Sequence, residues 1–441
     1  MRTVFRVSLV LCLIVLAVGT AFAQSQAGLG SITGVVQDAT GAVIPGATVS
    51  VANEPKGINR TLQTNPEGIF SAPSLPPARG YVVRVNAAGF TPYERPNIEL
   101  LVGQQINLPI QLSISAAATT VEVTGGAPIV ETTKQGVSQV VTTTQIDNLP
   151  INGRRVDSFV LLTPGVTNDG TFGLVSFRGI PGGNTFLTDG NDTTNSFYNE
   201  NAGRTRISSQ ISQDAVQEFQ VLSNGFSAEF GRAMGGVINT VTRSGTNDVH
   251  GTAYWFFRNQ DFNAKDRYAT INPKETRHQA GASAGGPIRR DRVYYFFNYE
   301  PTRRDFPAIN RLINASLTDT AGNFTAPCRV TSGAQPTDAQ CAAARAYIMR
   351  NNNVEIPRTV TSDLLFGKLD FHVNDANNLS ASFNFLRWVS PNGIQTQAVL
   401  TNNNAASNNA NSTVNTRYGR LSWTAIPSSS VVNEARFGWF K

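Results

Sequence analysis

The sequence is poor in the side chains that most often perform catalysis or bind metals. Only three histidines and three cysteines occur in 441 residues. His250, His278 and His372 fall on separate candidate strands, without the spacing of a metal site. Neither a Walker sequence nor the glycine fingerprint of a dinucleotide site is present. We therefore expect no catalytic residue, no metal site and no cofactor.

One pentapeptide, GASAG at residues 281–285, does match the G-x-S-x-G pattern of hydrolases. In those enzymes the serine lies on a sharp turn between a strand and a helix. Here Pro287, a charged turn and an aromatic segment follow, which favours a strand of small residues. A secreted enzyme that uses Ser283 as its nucleophile is the disfavoured alternative.

Charged residues and long apolar runs are also scarce. Charged residues make up 15% of the chain, against about 25% in a typical soluble domain. No basic block carries the net charge of +6, which argues against a nucleic-acid partner and suits anionic lipid headgroups or anionic ligands. Beyond the N-terminus no apolar run reaches about 18 residues, which excludes a helical membrane protein but not a transmembrane β-barrel.

The N-terminus has the pattern of an export signal. Two arginines precede the apolar run Leu9–Val18, and Ala-Phe-Ala at the end of residues 1–23 fits a cleavage site. We therefore expect residues 1–23 to be a signal peptide, with an uncleaved membrane anchor as the alternative. Its removal leaves two cysteines, Cys328 and Cys341, which we expect to form a disulfide in an oxidising compartment.

Residues 30–113 alternate short β-rich runs with turns. The runs include ITGVV, TVSV, YVVRV and INL, and turns rich in proline and glycine lie between them. This spacing is typical of a small β-sandwich. The segments GVVQDATGAVIPGATVSV, TNPEGIF and YVVRVNAAGF resemble the carboxypeptidase regulatory-like domain. The resemblance implies a carbohydrate-binding-like fold and hence carbohydrate contact, but the unit lacks the zinc ligands of a peptidase.

Residues 114–125 are small and polar, which is typical of a linker. The core of the linker is Thr120, Val121, Glu122, Val123 and Thr124. This core resembles a TonB box, the segment that outer-membrane receptors present to the energy-transducing protein TonB. Such a segment can add as a strand to the edge of a partner's sheet. TonB is therefore the expected partner, and the first strand of the next domain is the alternative assignment.

Residues 126–245 contain three segments that resemble the plug domain of TonB-dependent receptors. They are LPINGRRVDSFVLLTPGV, FRGIPGGNTFLTDG and EFGRAMGGVINTVTRSGTNDVHG. The resemblance implies a compact α+β domain inside a barrel, with Val237–Thr242 as its last strand. We expect Gly231, Gly235 and Gly236 to let the plug backbone lie near the barrel wall, where a Cβ atom would clash.

Residues 246–441 have long runs in which apolar and polar residues alternate. In LSASFNF, residues 379–385, Leu, Ala and Phe share one face of a strand while Ser and Asn share the other. Apolar-out, polar-in strands fit a transmembrane β-barrel, whereas a soluble sandwich would have a polar outer face. The segments GASAGGPIRRDRVYYFFNYE and KLDFHVNDANNLSASFNF resemble the Oar-like barrel type.

The alternation marks about seven strands, whereas plugged transporters have about 22. We therefore expect residues 246–441 to be the N-terminal part of a truncated barrel. Residues 301–360, which have few alternating runs, and the Asn-rich residues 401–415 are expected to be extracellular loops.

The sequence thus predicts a mainly β protein with an N-terminal β-sandwich, an α+β plug domain and a partial transmembrane β-barrel. The resemblance implies a TonB-dependent receptor in the outer membrane, with its N-terminal domain in the periplasm, that imports a ligand; an oligosaccharide is favoured. Arg178, Asp189 and Asp192 lie in plug segments that face either this ligand or the barrel wall. The alternative function is a surface adhesion or envelope-organising protein without uptake.

Overall fold

The structure is a computed structural model, and its strands confirm the predicted, mainly β fold class. It describes residues 28–114, 121–122, 137–168, 175–194, 210–226, 230–264, 272, 274–309, 327–328, 332–351, 355–392, 411–428 and 431–441. The predicted signal peptide, residues 1–23, lies outside the described residues. Among the described residues, no helix is both long and apolar enough to cross a membrane.

The N-terminal unit consists of two β-sheets around one apolar core. Its strands are β1 (Gly30–Asp38), β2 (Thr48–Asn53), β3 (Ile58–Gln63), β4 (Ile69–Leu75), β5 (Ala78–Asn86), β6 (Tyr93–Leu100), β7 (Gln105–Leu112) and β8 (Val121–Glu122). The sheets have the orders β4-β1-β7 and β3-β2-β5-β6-β8. Val49, Val51, Val83 and Val85 are fully buried in the core, because alternate side chains of a strand point to the same face.

The edge strand β8 contains two residues of the predicted TonB box. Its backbone runs parallel to β6, with Val121 opposite Tyr93 and Glu122 opposite Glu94. Thr120, Val123 and Thr124 lie outside the described residues. The TonB box stays a prediction, and part of its backbone is paired with the N-terminal unit.

The middle unit, which we call the plug, has one larger sheet and one small sheet. Its elements are β9 (Val137–Val141), α1 (Thr143–Asn148), β10 (Val166–Asn168), β11 (Val175–Phe177), β12 (Ile180–Pro181), β13 (Thr185–Thr188), β14 (Asn191–Asp192), β15 (Val216–Asn224) and β16 (Val237–Thr242). The larger sheet has the order β14-β13-β16-β15-β9 and the small one β10-β11-β12. All six residues of β16 are buried, because this strand lies in the middle of the larger sheet.

A seven-stranded antiparallel sheet, which we call the wall, follows the plug. Its strands are β17 (His250–Asn259), β18 (Thr276–Arg289), β19 (Val293–Asp305), β22 (Thr359–Asn374), β23 (Asn377–Ser390), β24 (Ser412–Ser428) and β25 (Val431–Phe440). Each strand pairs with the next one along this series. Between β19 and β22 lie β20 (Ala308–Ile309), α2 (Asp338–Asn351) and β21 (Glu355–Ile356).

In a soluble sheet the exposed face is usually polar, but the exposed face of the wall is largely apolar. Phe297, Phe383 and Trp439 on the outward face are exposed, whereas Asn298 and Asn384 on the inward face are at most 1% exposed. The alternation in LSASFNF therefore assigns Phe383 and Asn384 to the correct faces. Exposed apolar side chains opposite a buried polar face suit a wall that contacts lipid.

The two ends of the wall differ in the length of their connections. At one end, which we call the short-turn end, residues 290–292 join β18 to β19 and residues 375–376 join β22 to β23. At the other end, residues 306–358 and 391–411 make the longer connections. Cys328 and Cys341 are joined by a disulfide within the first of these. The expected loop at 401–415 is shorter than predicted, because β24 already begins at Ser412 and pairs with β23.

Candidate functional site: the plug–wall interface

The inward face of the wall packs against the plug. Phe296 on β19 and Phe366 on β22 belong to the same buried apolar cluster as Phe219 and Ile238 of the plug. Burial of such side chains stabilises the contact by about 25 cal/mol per Å² of apolar area. The interface also contains two polar clusters, each with an acidic side chain at its centre.

Asp189, in the turn between β13 and β14, is the centre of the first polar cluster. Its carboxylate accepts hydrogen bonds from the backbone N–H (2.7 Å) and the hydroxyl (2.6 Å) of Thr242 at the end of β16. On the wall, Arg420 forms an ion pair with this carboxylate and donates to the Thr188 carbonyl oxygen at 2.9 Å. The Nζ of Lys368 lies 3.8 Å from the same carboxylate. One turn of the plug is thus bound by cations from β22 and β24.

These partners keep Asp189 ionised. Burial by itself raises the pKa of the Asp189 carboxyl, but the charges of Arg420 and Lys368, together with the Thr242 hydrogen bonds, hold that pKa well below its ordinary value. Lys368 also donates to the Thr242 hydroxyl at 3.0 Å. Since both wall cations are buried, removal of the carboxylate would leave two desolvated charges without their counter-ion.

Glu300 on β19 is the centre of the second polar cluster, and it is only 2% exposed. Its carboxylate accepts hydrogen bonds from Ser212 of the plug (2.6 Å) and from Tyr254 (2.7 Å) and Gln279 (2.7 Å) of the wall. The guanidinium of Arg154, from the plug, lies 3.7 Å from the carboxylate and 4.1 Å above the ring of Tyr254. The cluster therefore connects two plug side chains to the three consecutive wall strands β17, β18 and β19.

The structure assigns different roles to the three plug residues that the sequence singled out. Asp189 faces the wall. Asp192 pairs with Arg232 of the plug at 3.0 Å, in an exposed position. Arg178 donates to the Gly235 carbonyl oxygen at 3.2 Å, also within the plug. Only the first of the three therefore connects the plug to the wall.

The sequence analysis missed most of the wall side of this interface. Lys368, Arg420 and Glu300 on the wall were not singled out, nor was Arg154 of the plug. One sequence feature could have identified these wall residues: a charged side chain at an inward position of an alternating strand, as at Lys368 and Glu300. Alternation does not identify the partner, because Asp189 is far from both wall cations in the sequence.

The prediction that the glycines before β16 lie against the barrel wall is wrong, because their neighbours belong to the plug. A Cβ atom on Gly236 would lie 2.5 Å from the ring of Phe177, and one on Gly235 would overlap the side-chain oxygen of Asn184. Both neighbours belong to the plug. Gly231 has no other atom within 4 Å of such a Cβ. These glycines therefore allow close packing inside the plug rather than against the wall.

The glycine that does approach the wall is Gly245, just after β16. A Cβ atom here would overlap the Tyr295 carbonyl oxygen and would lie 2.7 Å from that of Gly286. Close backbone approach thus occurs where the chain passes from the plug to the wall.

We expect Gly236→Ala to lower the free energy of unfolding of the plug by about 1–3 kcal/mol, the usual cost of an extra carbon in a packed core. Calorimetry of the full-length receptor in detergent measures the change. Gly231→Ala is the matched control, because it adds the same atom in open space and should change stability by less than about 0.5 kcal/mol. Equal effects of the two substitutions would contradict the packing role of Gly236.

The residues considered for catalysis and metal binding occupy strands of the wall. Ser283 lies within β18, where its hydroxyl is 2.7 Å from that of Thr252 on β17. The G-x-S-x-G segment is thus part of a long strand and not of a strand–turn–helix elbow. His250, His278 and His372 lie on β17, β18 and β22. In the part of the chain that the structure describes, no three His, Cys, Asp or Glu side chains are placed to hold a metal ion.

Two protein families match separate parts of the chain. Residues 31–113 match the carboxypeptidase regulatory-like domain, and residues 241–441 match an outer membrane beta barrel domain. The first match covers the strands β1–β7, and the second covers the whole wall.

Individual proteins are similar over longer stretches. The chain is 27% identical to the TonB-dependent transporter Oar of Myxococcus xanthus over 382 residues, which are 82% of this chain and 34% of Oar. It is 28% identical to the probable TonB-dependent siderophore receptor PirA of Acinetobacter baumannii over 42% of this chain and 26% of PirA. The chain therefore spans about a third or less of the length of these curated relatives.

Solved structures of receptors and transporters are also similar. A ferric enterobactin receptor (PfeA) from Pseudomonas aeruginosa has a TM-score of 0.44 and 15% identity, over 66% of this chain and 39% of that chain. The outer membrane transporter YddB from Escherichia coli has a TM-score of 0.45 and 12% identity, over 69% of this chain and 38% of that chain.

The curated relatives are a transporter and a receptor, not enzymes. The barrel domain and the similarity to Oar place the chain in the outer membrane, as predicted. The chain is thus homologous to the TonB-dependent transporter Oar, and it carries a carboxypeptidase regulatory-like domain followed by an outer membrane beta barrel domain.

Proposed function

We propose that the protein imports a ligand across the outer membrane by a TonB-driven rearrangement of its plug. The observation that carries the proposal is the way the plug is held against the wall. The clusters around Asp189 and Glu300 consist of ion pairs and hydrogen bonds, which can break and re-form without a change in covalent structure. An adhesion protein has no need for a plug that can move.

The orientation follows from the two ends of the wall. Outer-membrane barrels have short periplasmic turns and longer extracellular loops. In this proposal the turns at 290–292 and 375–376 face the periplasm, and the connections at 306–358 and 391–411 face the outside. The N-terminal unit contacts the turn that contains Asp291, so it lies in the periplasm, where TonB can reach the linker.

TonB is the proposed partner, and residues 120–124 are its proposed binding segment. The backbone of Val121 and Glu122 is already extended as strand β8, which is the conformation that strand addition to a partner requires. An oligosaccharide is the ligand that the fold of the N-terminal unit favours, and a ferric siderophore is the class named for the relative PirA.

Deletion of residues 120–124 from the full-length receptor should abolish uptake, because TonB loses its strand. The measurement is accumulation of labelled oligosaccharides and ferric siderophores in cells, with surface binding recorded in parallel. Deletion of residues 115–119 shortens the same linker equally and should preserve uptake. Full uptake without residues 120–124 would overturn the TonB assignment. Surface binding without any uptake in the parent receptor would favour an adhesion protein.

A further inference from the structure

The N-terminal unit is docked across the short-turn end of the wall. Asn247, just before β17, makes most of the polar contact. Its backbone N–H donates to the Pro55 carbonyl oxygen (2.7 Å), and its side-chain amide donates to the Glu54 carbonyl oxygen (2.8 Å) and the Asp291 carboxylate (2.7 Å). Its side-chain oxygen accepts from the Tyr294 hydroxyl at 3.1 Å. One residue thus connects the N-terminal unit to the β18–β19 turn and to β19.

The same unit also contacts the plug through buried polar groups. The Val102 backbone N–H donates to the Glu218 carboxylate at 2.9 Å, and the Gln217 amide donates to the Pro77 carbonyl oxygen at 2.7 Å. Glu218 is 4% exposed. Burial raises the pKa of the Glu218 carboxyl to about 7, and the Val102 hydrogen bond opposes the rise. The N-terminal unit therefore contributes to the desolvation of a plug side chain.

Two glycines of the N-terminal unit lie directly on this interface. A Cβ atom on Gly57 would overlap the Tyr294 hydroxyl and would lie 2.9 Å from the Asp291 Cα of the wall. A Cβ atom on Gly103 would overlap the side-chain amide of Gln220 of the plug. A methyl group on Gly57 would therefore meet the backbone of the wall and obstruct docking, whereas one on Gly103 would meet only the end of the Gln220 side chain.

The docked unit lines a cavity of about 420 Å³ to which all three units contribute. Lys56 comes from the N-terminal unit, Asp189 from the plug, and Asp370 and Arg420 from the wall. Burial and the nearby Lys368 charge lower the pKa of Lys56 to about 8. Lys56 is half-buried, and the charged groups that act on it, Lys368, Asp370 and Glu218, belong to the wall and the plug.

We propose that the N-terminal unit is a lid, which closes the periplasmic mouth of the receptor at rest and must undock before ligand can leave. The inference rests on the proposed function, since it assigns a regulatory step to the same import route. The link to TonB is β8, which pairs with β6 of the lid. A pull on residues 120–124 therefore acts on the lid before it reaches the plug.

Thiol labelling of Lys56→Cys in the full-length receptor tests docking, with a maleimide added to outer-membrane fragments. A docked lid protects this cysteine. Addition of Gly57→Ala should accelerate labelling about tenfold, because a backbone clash of this kind shifts the docking equilibrium. Gly46→Ala is the matched control: Gly46 also has a positive φ, 70° against 62° for Gly57, but a Cβ there meets nothing within 4 Å. Equal labelling rates in all three proteins would overturn the docked lid.

A reversible lock tests whether undocking is required for import. Gly103→Cys combined with Gln220→Cys places two thiols side by side, so that they can form a disulfide between the lid and the plug. Because cysteine is shorter than glutamine, the second substitution removes the overlap that a Cβ atom on residue 103 would otherwise have with Gln220. The oxidised protein should bind ligand at the surface without importing it, and reduction should restore uptake. Equal uptake in both forms would overturn the lid and leave the proposed function intact. No uptake in either form, with the parent receptor equally inactive, would overturn both.

Discussion

Asp189→Ala should loosen the plug more than any other single change in its sheet. The substitution leaves Arg420 and Lys368 buried without their counter-ion, and loss of one partner from such a group costs about 3–5 kcal/mol. In the full-length receptor we expect faster proteolysis of the plug within an intact barrel. We also expect greater permeability of the outer membrane to large hydrophilic antibiotics.

The stabilisation that Asp189 contributes to the plug–wall contact should be lost at low pH and not at high pH. The pKa of Asp189 is lowered in the folded protein, so its stabilisation is complete above the unfolded value of about 3.9 and is lost as the pH falls through the folded value. The parent receptor should therefore hold its plug at neutral pH and lose the contribution of Asp189 only in strong acid. Asp189→Ala should lack this acid-dependent contribution.

Asp192→Ala is the matched control for Asp189→Ala. Asp192 lies three residues further on, in β14, but its ion pair with Arg232 is exposed on both sides. Exposed pairs contribute about 0–1 kcal/mol, so plug proteolysis should change little. If the two variants behave alike, the wall cations do not hold the plug through Asp189.

Much of the fold was predictable because side-chain direction in a strand has a period of two. The sequence LSASFNF alone assigns Phe383 to the outward face and Asn384 to the inward face, as the structure has them. The expected loop at 401–415 extended too far, because residues 412–415 belong to β24 and pair with β23.

The plug–wall contacts could not be predicted from the sequence, for a physical reason. Asp189 and Arg420 are brought together only when the turn after β13 meets the inward face of β24. No local pattern encodes the position of the plug in front of a given strand. The same reason explains the error at Gly236: the glycine indicates close packing correctly, but Phe177 is a neighbour that only the three-dimensional arrangement reveals.

Glu300→Ala should have the second-largest effect on how the plug is held. It removes the acceptor of Ser212, Tyr254 and Gln279 and a buried negative charge near Arg154. We expect the contact to weaken by about 3 kcal/mol or more, since several donors and one cation lose their partner together. The measurements are the same plug proteolysis and antibiotic permeability.

Glu275→Ala is the control that separates the plug from the wall. Glu275 pairs with Arg277 and Arg304, both on wall strands, so its loss should weaken the wall without accelerating cleavage of the plug.

The Glu300 cluster involves residues of β17–β19 and the Asp189 cluster residues of β22 and β24, so the two clusters should contribute independently to the stability of the plug. Asp189→Ala combined with Glu300→Ala should then destabilise the plug by the sum of the single effects, within about 0.5 kcal/mol. A double variant no worse than either single one would mean that the two clusters act as one coupled unit and not independently.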